Sequence, residues 1–304
     1  MQHAGVGRYL RFFPLLAGFL VFAVILAVWY TGSGVADSGN KTNPDAKKPV
    51  KLVYVDWASE KASAHVVKAV IESRFDRECQ VLSVSLIAMW ESLAAGDQDA
   101  SVAAWLPSLQ KRYLEKHKAD VKNLGPNLEG TKIGLAVPEY VPINSIAELN
   151  GHAPKFDNKI IGIDPYAGIM GKTAAAMDAY GLSAFDLVSG SGPTMTTALE
   201  KAIAQQRWIV VTGWTPHWKF AEWDLKYLED PKNVYGRKEH IATIVRKGLK
   251  QDMPEIHAFF ENFYWHPRNL EAVMKTARHE NTSYPEAARK WVASHPELAD
   301  QWVK

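Results

Sequence analysis

The sequence has little of what disulfide, metal and catalytic sites require. A single cysteine, Cys79, stands among 304 residues, which excludes an internal disulfide and a multi-cysteine metal site, so we expect a small buried hydrophobic residue there. The histidines form no His-Glu-x-x-His pair, and no Gly-x-Ser-x-Gly motif is present. Lysine and arginine number 35 against 33 acidic residues, and a net charge of +2 is small for a nucleic-acid-binding protein. The sequence therefore predicts no enzyme, no metal or cofactor site and no nucleic-acid partner.

One glycine-rich segment resembles a phosphate-binding loop only in part. Residues 164–173, DPYAGIMGKT, end as such a loop does, but the pattern requires a glycine where Tyr166 stands. What remains is the start of a helix, whose first backbone N–H groups lack partners within the helix and favour an anion. A small carboxylate at Gly168 and Ile169 satisfies this chemistry without a phosphate group.

The N-terminal segment is typical of an exported protein. Arg8 and Arg11 precede an uncharged run, residues 12–30, which reaches the lower end of the length that spans a bilayer. We interpret residues 1–36 as a signal peptide or a membrane anchor, and small residues at its end leave both possibilities open. The polar residues 37–50 are predicted to be a flexible tether. The expected location is the periplasm or the outer face of the cytoplasmic membrane, with membrane association possible through the apolar segment.

Strand-like and helix-like patterns alternate after the tether. Residues 52–57, LVYVDW, predict a short strand, and apolar residues at helical spacing follow over about 61–75. The same order recurs over 160–181, and a capped helix pattern leads into the apolar run 209–211. This alternation favours an α/β fold with mainly parallel sheets.

Eleven tryptophans are the outlier of the composition. Trp57, Trp105 and Trp214 each follow a predicted strand, in YVDWASE, VAAWLPS and VVTGWTP, and ligands of parallel α/β sheets bind beyond the carboxyl ends of the strands. Three indole faces suit a quaternary ammonium group, which has no N–H to donate and is held by cation–π attraction. His217 is expected to support this site by hydrogen bonding, and Trp218 to buttress the turn. The tryptophans without such a position are expected to pack in the core or on the surface: Trp90, Trp208, Trp223, Trp265, Trp291 and Trp302.

These segments together resemble the glycine betaine and proline betaine substrate-binding proteins of osmoprotectant ABC importers. The motifs that carry the resemblance are YVDWASE, GDQDASVAAWLP, GLAVPEYV, IIGIDPYAGIM and VTGWTPHW, which extend over nearly everything after the tether. The resemblance implies a two-lobed type II periplasmic-binding-protein fold with two strand crossovers at the hinge. It also implies that the residues matching Trp57, Trp105 and Trp214 hold the trimethylammonium group. Backbone amides matching Gly168 and Ile169 would take the carboxylate.

The same resemblance divides the chain between the lobes. Lobe one would comprise residues 51–138 and 240–304, and lobe two residues 139–239. Two of the three tryptophans would then lie on one lobe, and the third would lie with the helix start on the other. A zwitterionic ligand would bridge the lobes, favour the closed form and be delivered to an ABC permease.

Two departures from the family leave the ligand open. Gln110 stands where some members have a histidine that assists with the carboxylate, and Tyr166 replaces a glycine of the DPGAGIM loop, where a positive φ is costly for tyrosine. We expect glycine betaine or proline betaine, with choline, carnitine or a dimethylsulfonio compound as the alternative ligands. A membrane-anchored sensor with the same fold is the other alternative. An enzyme alternative, an exported hydrolase of choline esters, would require a nucleophile motif, and the sequence contains no Gly-x-Ser-x-Gly motif.

Overall fold

The structure is a computed structural model that describes residues 47–236, 238–280 and 282–304. The predicted signal peptide or anchor, residues 1–36, and most of the predicted tether lie outside the described residues. Within the described ranges, no helix is both long enough and apolar enough to cross a membrane.

The described strands form two five-stranded sheets. The first has the order β2-β1-β3-β10-β4, and the second has the order β7-β6-β8-β5-β9. In chain order the strands are β1 (Val50–Tyr54), β2 (Cys79–Ser83), β3 (Ala100–Leu106), β4 (Val121–Leu128), β5 (Lys132–Pro138), β6 (Lys159–Ile161), β7 (Asp186–Val188), β8 (Val210–Thr215), β9 (Leu225–Tyr227) and β10 (His240–Arg246).

Both sheets are mixed, so the expectation of mainly parallel sheets was wrong. Strands β1, β2 and β3 are parallel, but β10 runs antiparallel to both β3 and β4. In the second sheet β6, β7 and β8 are parallel, and β5 runs antiparallel to β8 and β9. The antiparallel strands β5 and β10 are those by which the chain enters a sheet from the other one. Hydrophobic patterning gives no information on that direction.

The chain crosses between the sheets twice, once from β4 to β5 and once from β9 to β10. The expected lobe boundary at residue 138 does not coincide with the first crossing. Strand β5 pairs with β8 from Lys132↔Thr215 to Ala136↔Val211, so it belongs to the second sheet. The crossing itself falls at residues 129–131.

Helices cover the sheets. In the described part of the chain they are α1 (Ala58–Arg74), α2 (Leu86–Ala95), α3 (Lys111–His117), α4 (Gly168–Tyr180), α5 (Gly192–Ala204), α6 (Lys219–Glu222), α7 (Leu249–Asp252), α8 (Pro254–Asn262), α9 (Pro267–His279), α10 (Tyr284–Ser294) and α11 (Pro296–Trp302), with a 3₁₀ segment at Ile146–Phe156. Helix α4 ends at Gly181, whose left-handed φ of 65° and N–H bonds to α4 carbonyls confirm the predicted glycine stop.

Four of the six tryptophans for which the sequence predicted packing lie in the core, and Trp208 and Trp223 are partly buried against it. Near the C-terminus, Trp265 packs edge-to-face against Trp291 at 5.7 Å and Trp302 at 6.5 Å between ring centroids, and all three rings are buried. Trp90 is also fully buried. Cys79 is unpaired and buried, as expected, and burial raises the pKa of its thiol to about 12, which keeps it protonated and unreactive.

Candidate ligand-binding site

One cavity brings together all five residues predicted to form a site. Its empty space, including the opening to solvent, is about 340 Å³. The predicted residues on its wall are Trp57, Trp105, Gly168, Ile169 and Trp214. Gln110, which departs from the family pattern, also lines the cavity. The remaining lining residues were not predicted from the sequence: Leu109, Ile133, Ile163 and Ala167. Both sheets therefore contribute to the wall.

Two tryptophans enter the cavity from the side of the first sheet. Trp57 follows β1 and is the N-cap residue of α1, with extended backbone angles of −103° and 145°. Trp105 is the penultimate residue of β3, opposite Ile241 of β10. The two rings are 8% and 3% exposed, so little of either reaches bulk water. Both residues are positioned by the end of a buried strand, and a side chain at that position projects beyond the edge of the sheet.

The Trp105 ring is held by a buried carboxyl group. Trp105 Nε1 donates to Glu60 Oε1 at 3.2 Å, and the Val55 N–H donates to Glu60 Oε2 at 3.3 Å. Burial raises the pKa of Glu60 well above its usual value, because no solvent stabilises the ionised form. Glu60 was not predicted from the sequence, although its position three residues after Trp57 places both at the first turn of one helix.

Trp214 enters from the second sheet, as the penultimate residue of β8 opposite Ile133 of β5. His217 meets it edge-to-face, with ring centroids 4.7 Å apart and planes at 90°. The Lys219 Nζ lies 4.0 Å from the Trp214 ring centroid and is buried without a hydrogen-bond partner among the described residues. Burial lowers the pKa of Lys219 well below its usual value. Lys219 was not predicted from the sequence, because nothing in a turn sequence shows that a charged side chain is buried.

His217 and Trp218 stand behind Trp214 and do not line the cavity. His217 Nδ1 accepts a hydrogen bond of 3.0 Å from the Lys219 N–H, so the histidine braces the turn. The ring centroids of Trp218 and His217 are 5.1 Å apart. The Arg278 guanidinium carbon lies 3.9 Å from the Trp218 ring centroid. Both residues therefore have the supporting positions that the sequence predicted.

The opposite end of the cavity is the start of α4. Its N-cap residue, Ala167, has no side chain that could cap the helix, and within the described residues neither the Gly168 nor the Ile169 N–H donates a hydrogen bond. A Cβ at Gly168 would lie 2.7 Å from Leu109 Cα and closer still to the Leu109 carbonyl oxygen, so only glycine fits here. Two free N–H groups at a helix N-terminus therefore face an apolar cavity, an arrangement that suits a carboxylate.

The two departures from the family pattern occupy different places. Gln110 lines the cavity, but its Oε1 accepts from Trp90 Nε1 at 2.9 Å and its Nε2 lies 3.5 Å from the Ala103 carbonyl oxygen. Its amide is thus engaged by residues packed around the first sheet. Tyr166 does not line the cavity, its side chain is 54% exposed, and it is not among the residues with positive φ, so this loop takes a different turn from one that requires glycine.

Two mixed α/β sheets joined by two chain crossings, with a small-molecule cavity lined from both, are the type II periplasmic-binding-protein fold. Residues 48–294 match the family described as the substrate-binding domain of the ABC-type glycine betaine transport system, and the chain belongs to that family. Members are extracytoplasmic substrate-binding proteins that work with an ABC transporter. The predicted fold and family are confirmed.

Solved structures and a curated relative agree with this assignment. Lactococcal OpuAC, in its closed conformation with glycine betaine, has a TM-score of 0.80 and 40% identity over 85% of this chain and 100% of its own. The glycine/betaine/L-proline-binding protein ProX from Borrelia burgdorferi has a TM-score of 0.80 and 38% identity over 84% of this chain and 97% of its own. The glycine betaine/carnitine transport binding protein GbuC of Listeria monocytogenes is 47% identical over 135 residues, which are 44% of this chain and 45% of the relative. The matched region thus spans less than half of that relative's length.

Proposed function

We propose that this protein captures glycine betaine or proline betaine outside the cytoplasm and delivers it to an ABC permease. The observation that carries the proposal is the convergence of three indole rings and one uncapped helix N-terminus on a single cavity. The relatives named above for glycine betaine support the choice of ligand.

The two ends of the cavity match the two ends of such a ligand. A quaternary ammonium group has no N–H to donate, so aromatic faces are the favourable partners, each contributing about 0.5–2 kcal/mol. The carboxylate would accept from the N–H groups of Gly168 and Ile169, where the helix dipole also favours a negative charge. A neutral or purely cationic ligand would leave one end of the cavity without a partner.

We further propose that the two sheets are the cores of two lobes that close on the ligand, with the hinge at the two chain crossings. Lobe one would comprise residues 51–128 and 240–304, and lobe two residues 132–227. Contacts away from the cavity support a closed arrangement: Arg278 of α9 stacks on Trp218 and lies 3.6 Å from a Glu200 carboxylate oxygen, and His279 Nε2 lies 2.8 Å from Glu222 Oε2. A ligand that touches both lobes stabilises this form, which the permease would recognise.

Calorimetric titration with a ligand panel tests the proposal. Glycine betaine and proline betaine should bind with one-to-one stoichiometry, and choline, which lacks the carboxylate, should bind more weakly. Carnitine belongs in the panel because the Listeria relative is named for it. Tighter binding of choline than of either betaine would remove the role proposed for Gly168 and Ile169. If none of the four compounds binds, the proposed function is contradicted.

We propose that the protein acts in the periplasm or at the outer face of the cytoplasmic membrane, as its family does. N-terminal sequencing of the mature protein separates a cleaved signal peptide, which gives a start near residue 37, from a retained anchor, which gives the intact N-terminus.

A further inference from the structure

Glu60 is a buried acid next to the cavity that does not line it. The residue lies in the first turn of α1, three positions after Trp57, and is 1% exposed. Its side chain accepts one hydrogen bond from Trp105 Nε1 and one from the Val55 N–H. Glu60 is therefore joined directly to one wall of the tryptophan site and is adjacent along the helix to another.

No cation of the described chain neutralises this group. The neighbouring Lys61 pairs with Asp56, and Lys68, two turns further along α1, pairs with Glu72. No described lysine, arginine or histidine forms a salt bridge with Glu60. A carboxylate without a cationic partner is costly to bury, and burial raises the pKa of Glu60 well above its usual value. A cation that binds nearby would favour the ionised form of this group.

The two hydrogen bonds go to separate oxygens of Glu60. A glutamine side chain has the same length and shape but only one acceptor atom, Oε1, so it could accept from Trp105 Nε1 or from the Val55 N–H and would turn its donor-only Nε2 toward the other. Glutamate therefore differs from glutamine both in its second acceptor oxygen and in the negative charge that it can carry, and that charge favours only the binding of a positive group. The proposed ligand brings such a group into the space between Trp57, Trp105 and Trp214.

Resting on the function proposed for the cavity, we propose that Glu60 is the residue that makes the site prefer a cation to a neutral group of the same shape. The carboxylate acts through Trp105, whose ring it positions. It also acts through space, because charges attract strongly where water is excluded. An indole whose N–H donates to a carboxylate is polarised toward a more negative ring face, which strengthens cation–π attraction. A quaternary ammonium group has no N–H to donate, so an acid behind the ring can attract it without a direct hydrogen bond.

A pair of ligands isolates this effect. Glycine betaine and 3,3-dimethylbutanoate share the carboxylate and the outline of three methyl groups, but the first has a cationic nitrogen where the second has a neutral carbon. Affinities of both compounds would be measured by calorimetry for the full-length wild type, for Glu60→Gln and for Glu72→Gln. The last variant is a matched control, because it removes the same charge from the same helix at an exposed position paired with Lys68.

Glu60→Gln should weaken glycine betaine binding by about tenfold or more and change 3,3-dimethylbutanoate binding by less than about threefold, whereas Glu72→Gln should leave both affinities unchanged. Equal losses for the two ligands, or no loss for either, would overturn the proposal and leave Glu60 as a packing residue. If Glu60→Gln does not fold, Glu60→Asp serves instead. Aspartate keeps the charge, so the ratio of the two affinities should stay within about threefold of wild type, and a collapse of that ratio would overturn the proposal. A wild type that binds neither compound contradicts the proposed function instead.

Discussion

Gly168 lies against the backbone of Leu109, so closely that a Cβ at Gly168 would be 2.7 Å from Leu109 Cα. Gly168 begins α4 beside the second sheet, and Leu109 follows β3 of the first sheet. The contact therefore joins the two halves of the protein at the point where the helix start faces the cavity. Because Leu109 contributes backbone atoms to this contact, a change of side-chain rotamer could not relieve the clash.

We expect Gly168→Ala to weaken ligand binding by about tenfold or more. The added methyl group would clash with the Leu109 backbone in the closed form and displace the N–H of residue 168, a proposed carboxylate donor. Glycine betaine titration measures the loss. Gly171→Ala is the matched control, since it lies on the same helix and a Cβ there meets nothing within 4 Å. Similar affinities for the two variants would show that the close approach does not matter for binding.

Lys219→Met should stabilise the protein. The Lys219 amine is fully buried without an acceptor among the described residues, and an unsatisfied buried polar group costs about 1–3 kcal/mol. Because the pKa of Lys219 is lowered in the folded state, protonation favours the unfolded chain at neutral pH. Denaturant titration should show a higher midpoint for the variant. A lower midpoint would mean that the amine contributes a favourable contact with Trp214 that outweighs its burial.

The free energy of unfolding should fall as the pH drops from about 6.5 to about 4. Burial, together with the positive charges of Lys68, Lys61 and Arg289, lowers the pKa of His65 to about 4, so the unfolded chain takes up a proton in this range while the folded protein does not. The loss should be on the order of 2 kcal/mol. His217 has a lowered pKa as well and contributes in the same direction, so the comparison needs a variant.

Denaturant titrations at several pH values, on wild type and His65→Leu, isolate the contribution of this histidine. The variant should lose less stability on acidification than the wild type. Parallel curves for the two proteins would assign the acid sensitivity to other groups.

Local sequence patterns predicted the parts of the site that depend on local structure. Trp105 and Trp214 lie one residue before the ends of buried strands and Gly168 begins a helix, and each of these positions can be predicted from a short segment. The patterns did not predict the direction of β5 and β10, because strand direction depends on which sheet the chain enters. They also missed Glu60 and Lys219, since a charged residue in an amphipathic segment is normally expected to face water. Their burial follows from packing between segments that are distant in the chain.

The central claim is that Trp214 forms one wall of a site for a quaternary ammonium carboxylate. Titration of glycine betaine into wild type and Trp214→Ala tests it most directly, with Trp208→Ala as the control because Trp208 lies outside this cavity. We predict saturable binding to the wild type, a loss of about 1–3 kcal/mol in binding free energy for Trp214→Ala, and little change for the control. Unchanged affinity in Trp214→Ala would contradict the account and show that Trp214 has only a packing role.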